Sequence, residues 1–426
     1  MTTGAQNDPG RIRRRTLLRG GLLGGAGAVA LATGVSTAAP GGAAVSADGP
    51  GAAGAGSPGS ARSSVPVGDL VESFHGPHQP GILTPPQPHA AFVALDLDAG
   101  SGREQLARLM RVWTEDIARL MAGRSPVTDQ EPELTERVSG LTVTVGWGAG
   151  AIERAGLQAH RPSWLRALPS LPIDELDERW GEADLLLQVA AYSPVTVAHA
   201  RRHLVNAAVG IARTRWIQSG YREPMERHGW SMRNQMGQVD GTVQPDVTPE
   251  ASGRDLPLVL IDGDGADPFW RGGSSLVLRR IEMDMDGWAR ADRVAREHMM
   301  GRDLATGAPM TGGDVDTPVD LHATHPNGLT VIDGAAHVRR AAPHAPHERF
   351  LRRPYLYEDV APDGSTDTGL LFTAYQADPV RQFLPVQQRL AEADLLNIYT
   401  TPVGSAVFAL LPGCPEGGWL GQDLLV

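Results

Sequence analysis

Apolar residues recur along this chain at two spacings, and the change from one to the other marks its elements. Ala90–Leu97 is an apolar run of strand length, and residues 105–122 carry apolar side chains at helical spacing with Arg and Glu between them. Leu141–Gly146 is β-branched and bounded by glycine, Leu185–Ala191 is a continuous run of the kind a doubly buried strand shows, and residues 195–211 return to helical spacing. The first half therefore reads strand, helix, strand, strand, helix. The second half predicts a strand at 275–283, a helix at 288–300, a strand at 369–375, a helix at 380–390 and a closing strand at 405–410. Two successive α+β units of ferredoxin-like type, antiparallel sheets with helices, account for this order. The duplication rests on element order, since no residue-level repeat is visible. A glycine-, proline- and histidine-rich passage from Gly301 to Pro346 interrupts the second unit, and a loop of that length inside a compact domain is usually functional.

Composition narrows the partners. The chain has 426 residues, 41% of them hydrophobic, so it can build two sizeable cores. A formal net charge of −11 argues against nucleic acid and against docking on anionic lipid, both of which need clustered cations. Arg14-Arg15-Thr16-Leu17-Leu18-Arg19 leads into Gly20–Ala39, a weakly apolar stretch without charges. This resembles a twin-arginine export signal, and its many glycines make it a poor membrane anchor, so the mature chain is expected not to stay inserted. Small residues at Val45-Ser46-Ala47 offer a cleavage site. The expected division is a signal peptide at 1–47, a Gly/Ala/Ser/Pro tether at 48–65, an N-terminal domain at 66–240 and a C-terminal domain at 241–426. The expected location is extracellular or in the cell envelope. Cys414 is the single cysteine, which excludes an internal disulfide, a four-cysteine zinc site and a cysteine-held iron–sulfur cluster or c-type haem within the chain.

Three places offer chemistry. Asp240 stands between Gly237 and Gly241, where glycine lets the backbone approach a flat ligand and aim a carboxylate into a pocket; an Asp-Gly pair is equally a common turn. His337 follows Gly334-Ala335-Ala336, small residues against which a planar macrocycle fits. Its imidazole is a candidate axial ligand to iron, or an ordinary loop histidine. Arg352-Arg353 supplies guanidinium groups able to stabilise negative charge on a breaking peroxide bond, or a solvated surface pair. The pairs His75/His78 and His344/His347 have metal-compatible spacing of a kind common by chance in loops. Trp230, Trp270, Tyr355, Tyr375 and Tyr399 are each candidates to relay an electron, with packing as the commoner role for any one of them.

Taken in order, Gly237-x-x-Asp240-Gly241-Thr242, then Trp270-Arg271-Gly272-Gly273-Ser274-x-Leu276-Val277-x-Arg279-Arg280-Ile281, Gly301-Arg302-x-x-x-x-Gly307-Ala308-Pro309, Ala336-His337-Val338-Arg339 and Leu351-Arg352-Arg353 resemble the dye-decolourising peroxidase family. His75–Ile82 and Thr84-Pro85-Pro86-Gln87 are similar to its secreted branch, which includes deferrochelatase/peroxidase proteins. The resemblance implies a duplicated ferredoxin-like fold around one non-covalent haem b per chain. It implies His337 as the proximal iron ligand, Asp240 and Arg352 as the distal pair, and Asn234, Gly237, Gly241, Thr242, Arg279 and Arg339 as haem contacts. An acidic partner for His337 is expected near the C-terminus, Asp394 or alternatively Glu392. Hydrogen peroxide and a small organic reductant or dye are the implied substrates, haem and iron handling the alternative role, and oligomers are compatible with the resemblance. The chain departs from the family pattern at three places: Pro354 where glycine is common, the pair Tyr192-Ser193 where relatives carry acids, and Ser275 where an aromatic is usual.

Overall fold

Eleven strands and nine α-helices follow one another among the described residues, and the order in which the strands pair reveals the duplication that their sequence does not. The computed structural model of the chain describes residues 66–223, 231–247, 253–263 and 267–426. The export segment 1–47, the tether up to residue 65 and Trp230 lie outside the described residues. In the first half, β1 (His89–Leu97), α1 (Arg103–Met121), β2 (Thr142–Trp147), α2 (Ala149–Arg154), β3 (Leu185–Ala191), α3 (Pro194–Ala207) and β4 (Ala212–Tyr221) make a sheet ordered β2-β3-β1-β4. A short hairpin, β5 (Met232–Arg233) and β6 (Val239–Asp240), and α4 (Leu256–Val259) lead into the second half. There β7 (Ser274–Met283), α5 (Met285–Arg290), α6 (Arg293–Met300), α7 (His337–Arg340), β8 (Leu351–Arg352), β9 (Tyr355–Val360), β10 (Thr366–Gln376), α8 (Phe383–Ala393), β11 (Thr400–Leu410) and α9 (Gln422–Leu425) follow.

Its main strands are ordered β9-β10-β7-β11, so that β7, β9, β10 and β11 occupy the places of β1, β2, β3 and β4. Both halves are therefore ferredoxin-like βαββαβ units. All pairings are antiparallel. The last strand of each unit meets the second strand of the other, β11 on β2 at Ala409 and Leu410 and β4 on β9 at Tyr221. Because β7 pairs with both β11 and β10, the eight strands close on themselves, and closure removes the exposed edges that an open sheet presents.

Alternation along these strands builds two apolar layers. Val93, Val143, Val189, Val277 and Val407 face one way, against α1, α3 and α8; Phe92, Leu186, Leu278, Tyr375 and Phe408 face the other. A third cluster is made mostly of methionine, Met232, Met236, Met283, Met299 and Met300 around Trp288, and it packs against Ile281, Phe372, Leu395 and Tyr399. The expected helix at 288–300 is two helices, since Ala291 is extended and the Asp292 side chain caps α6 by accepting from the Ala295 N–H at 2.8 Å.

Before Ala409, β11 has no strand on its second side, and residues 175–182 cover it instead. Glu175 and Asp177 donate their N–H groups to Pro402 and Val403, and the Glu182 carboxylate accepts from the Val407 N–H at 3.1 Å. Burial pushes the Glu182 carboxyl up to about 7, against the pull of that N–H and of Arg215. The folded chain thus holds a proton there that the unfolded chain releases near the ordinary value of 4.5. Stability is lost as pH rises between those values, and the full cost remains above pH 7. Glu182→Gln keeps an acceptor for Val407 and removes the charge. By calorimetry the variant is expected to match the parent at pH 4.5 and to exceed it at pH 8 by up to about 3 kcal/mol; an equal difference at both pH values contradicts the assignment.

Candidate active site

Asp240 ends the β5–β6 hairpin, opposite Met232. Asn234 closes the turn between the strands: its Oδ1 accepts from the Gln238 N–H at 3.1 Å and its Nδ2 donates to the Gln238 side chain at 3.0 Å. One of the two Nδ2 hydrogens of this amide, expected to contact haem, is thus used inside the hairpin. Gly237 and Gly241 have φ of 82° and 85°, the left-handed region that glycine enters without strain, and they reverse the chain on either side of Asp240. Thr242 follows, half-buried. Arg233, at the hairpin's other end, donates to the carbonyls of Gly237, Leu304 and Ala305 and so ties the hairpin to the long loop.

The two adjacent arginines part company because successive residues of a strand point to opposite faces. Arg353 is fully buried, donates to the Ile82 carbonyl at 3.1 Å and lies over the Tyr375 ring. Arg352 faces Asp240, with Nη1 3.2 Å from Oδ1, and its Nη2 donates to the Val243 carbonyl at 3.1 Å. Behind them stands Arg222, which the sequence did not single out. It is 3% exposed and donates to the carbonyls of Ser231 and Pro354, bridging the segments that carry Asp240 and Arg352. Burial lowers its pKa to about 10, while the Tyr355 and Asp240 charges act to raise it and Arg353 to lower it.

His337 opens α7, and its Nδ1 lies 2.6 Å from Oδ2 of Asp394. The other Asp394 oxygen accepts the Leu396 N–H at 3.0 Å, and the Leu395 N–H reaches the Ala335 carbonyl at 3.0 Å, so both partners are fixed by backbone. Glu392, the alternative, is exposed and lies 4.0 Å from Arg340 instead. His337 sits deep in the chain, yet its side chain keeps 27% of its surface open, so it faces a recess rather than bulk solvent. Burial alone pushes the imidazole pKa down; the charge and hydrogen bond of Asp394 outweigh this and hold it above the ordinary value. Asp240 adds to that rise and Arg352 opposes it, so both charges lie within electrostatic reach of the histidine.

Two family models match the chain, Dyp-type peroxidase, N-terminal, over residues 79–222 and Dyp-type peroxidase, C-terminal, over 231–415. The dye-decolorizing peroxidase of Thermobifida fusca (strain YX) is 37% identical over 361 residues, 82% of this chain and 83% of that protein. The chain belongs to the DyP-type peroxidase family. A DyP-type peroxidase from Cellulomonas bogoriensis has the same fold, with a TM-score of 0.81 and 48% identity over 85% of this chain and 99% of that one. The deferrochelatase of Yersinia pestis is 33% identical over 83% of the chain and 85% of that protein.

The residues suit the haem expected of a DyP-type peroxidase. With the Nδ1–H committed to Asp394, the His337 Nε2 is left with its lone pair free to bind iron, and a carboxylate on the far ring nitrogen is the arrangement that makes imidazole a strong iron ligand. A methyl group added at Gly237 or Gly334 would meet nothing within 4 Å, so neither position is packed against the rest of the chain. Arg302, buried and donating to the Gly307 carbonyl, has its pKa lowered by burial and then by the charge of Arg352. The other expected contacts have partners within the chain. Arg279 is buried and ion-paired with Asp174, although its Nε–H makes no hydrogen bond among the described residues. Arg339 donates to the carbonyls of Leu321, Ile332 and Asp333 and anchors the loop before His337. Among the described residues the histidine pairs form no metal-type cluster; the grouping found is Asp129, Glu131 and His199. Trp270, Tyr355 and Tyr375 are core residues, while Tyr399 is half-buried against Trp288, ring centroids 5.3 Å apart.

Proposed function

We propose that this DyP-type peroxidase is an exported haem b enzyme that reduces hydrogen peroxide and oxidises a bulky organic reductant in one-electron steps. The observation that carries this reading is that two hydrogen-bonded pairs, Asp240–Arg352 and His337–Asp394, lie within electrostatic reach of one another. His337 would hold the haem through Nε2, and Arg302 would offset a propionate charge. When bound, haem supplies the iron that takes up the oxidising equivalents of the peroxide. Asp240 accepts the proton from one peroxide oxygen and returns it to the other, which departs as water. The Arg352 guanidinium offsets the negative charge that grows on the departing oxygen. Arg352 also fixes the Asp240 carboxylate in direction, through the hydrogen bond to Oδ1.

The holoprotein is expected to show a Soret band and to oxidise a phenol or an anthraquinone dye only when peroxide is added. Absence of the band in protein produced with ample haem sinks the reading. The likeness to deferrochelatases supports a second role, release of iron from haem. Iron released under reductant with the porphyrin recovered intact would favour that role over peroxide turnover. Export is supported by Arg14-Arg15 ahead of an uncharged stretch; replacing both by Lys should leave the protein in the cytoplasm, and unchanged export would exclude the twin-arginine route.

A further inference from the structure

The peptide of Arg352, and not its side chain alone, is gripped by the loop that follows Asp240. The Arg352 N–H donates to the Gln244 Oε1 at 2.9 Å, and the Gln244 Nε2 donates to the Arg352 carbonyl at 2.8 Å. Within β8, Arg352 stands opposite Ala374 of β10, and the neighbouring Arg353 N–H bonds to the Thr373 carbonyl. The N–H and C=O of one residue in a strand point to the same side, so those of Arg352 turn away from β10 toward an edge. There a primary amide, with one acceptor and two donors in a plane, replaces the peptide of a missing strand. The same stretch also holds the guanidinium, through Asp240 and the Val243 carbonyl. Residues 240–244 thus take hold of Arg352 at both ends.

We infer that Gln244 is a positioning residue that sets the height and direction of Arg352 over the recess by holding its backbone to the Asp240 loop. The inference rests on the distal role proposed for Arg352. A shift of about 1 Å in a reacting group costs up to about 100-fold in rate, and a side chain as long as that of arginine magnifies any rotation of its own peptide. Gln244→Leu keeps the bulk and removes both hydrogen bonds. Gln244→Glu keeps an acceptor for the N–H and removes the donor to the carbonyl.

The test measures three things in the haem-loaded protein: hydrogen exchange of the Arg352 amide, the rate of the peroxide-driven Soret change, and that rate again in an Arg352→Leu background. The expected results are faster amide exchange in Gln244→Leu, retained protection in Gln244→Glu, and a rate about 10- to 100-fold lower in Gln244→Leu with a smaller loss in Gln244→Glu. In the Arg352→Leu background the Gln244 substitutions should lose their effect, because they act through the missing side chain. Should Gln244→Leu not fold, the exchange and rate of Gln244→Glu carry the test. The inference is overturned if both variants react within twofold of the parent, or if the loss persists undiminished without Arg352. If Arg352→Leu alone reacts at the parental rate, the distal reading fails as well, and the exchange data still show whether the backbone clamp exists.

Discussion

Asp240→Asn and Arg352→Leu each lower the second-order rate of the peroxide-driven Soret change by about 10²- to 10⁴-fold, the range that a positioned general acid–base group contributes, while the resting Soret band is retained. Asn keeps an oxygen toward the Arg352 Nη1, now at 3.2 Å from the carboxylate, so the pair's geometry survives and only the proton-accepting oxygen is lost. Leu leaves Asp240 in place without the cation beside it and removes the charge that would stabilise the departing oxygen. Arg352→Lys separates these effects: it restores a cation but not the fork that spans Asp240 and the Val243 carbonyl, and an intermediate rate is expected. Since the two residues act as a unit, the double variant should be little slower than the slower single one. Stopped-flow absorbance decides the matter, and parental rates in both single variants would remove the pair from the mechanism.

What the sequence made legible follows from what each residue does. Strands whose whole length is buried, such as Leu185–Ala191, show it in every position. Of the eight main strands, the two missing from the sequence reading are β4 and β9, where the halves meet, and both carry exposed polar residues: Arg213, Thr214 and Arg215 in β4, Glu358 and Asp359 in β9. Half-buried strands of that composition do not stand out from loops, because their pairing is decided by the other half of the chain. The ferredoxin-like duplication became certain through strand order, which local pattern does not encode. At the site, residues whose type is demanded by chemistry or backbone were readable: Asp240 between glycines, His337 after small residues, Arg352 in a pair. Arg222, Arg233 and Gln244 were not, and Arg302 stood in a motif without an assigned role, since they donate to or accept from main-chain groups brought near by folding. A carbonyl leaves no mark in the residue that bears it. Arg279 and Asn234 show the converse, polar side chains in family motifs whose hydrogen bonds serve Asp174 and the hairpin turn.

On the opposite side of the recess, Asp394→Asn is expected to loosen haem and slow the peroxide reaction, each by about 10- to 100-fold, the usual cost of losing the partner of a metal-bound histidine. Asn still offers an oxygen to the His337 Nδ1–H, now 2.6 Å from a carboxylate, and can still accept the Leu396 N–H that Asp394 caps at 3.0 Å. The fold and the ring orientation should therefore persist, and what disappears is the negative charge that draws the Nδ1 proton and makes Nε2 more basic. Asp394→Leu removes the acceptor too, frees the ring to rotate and strips the cap from the 395–398 turn, so its loss should be larger and accompanied by lower thermal stability. Transfer of haem to an apoprotein acceptor reads the affinity, and the iron–histidine stretching frequency reads the basicity independently of turnover. A lower frequency in Asp394→Asn with the parental melting temperature assigns the effect to charge. An unchanged frequency would mean that Asp394 holds the loop and not the electronics of the histidine, and the push from this side of the recess would have to be sought elsewhere.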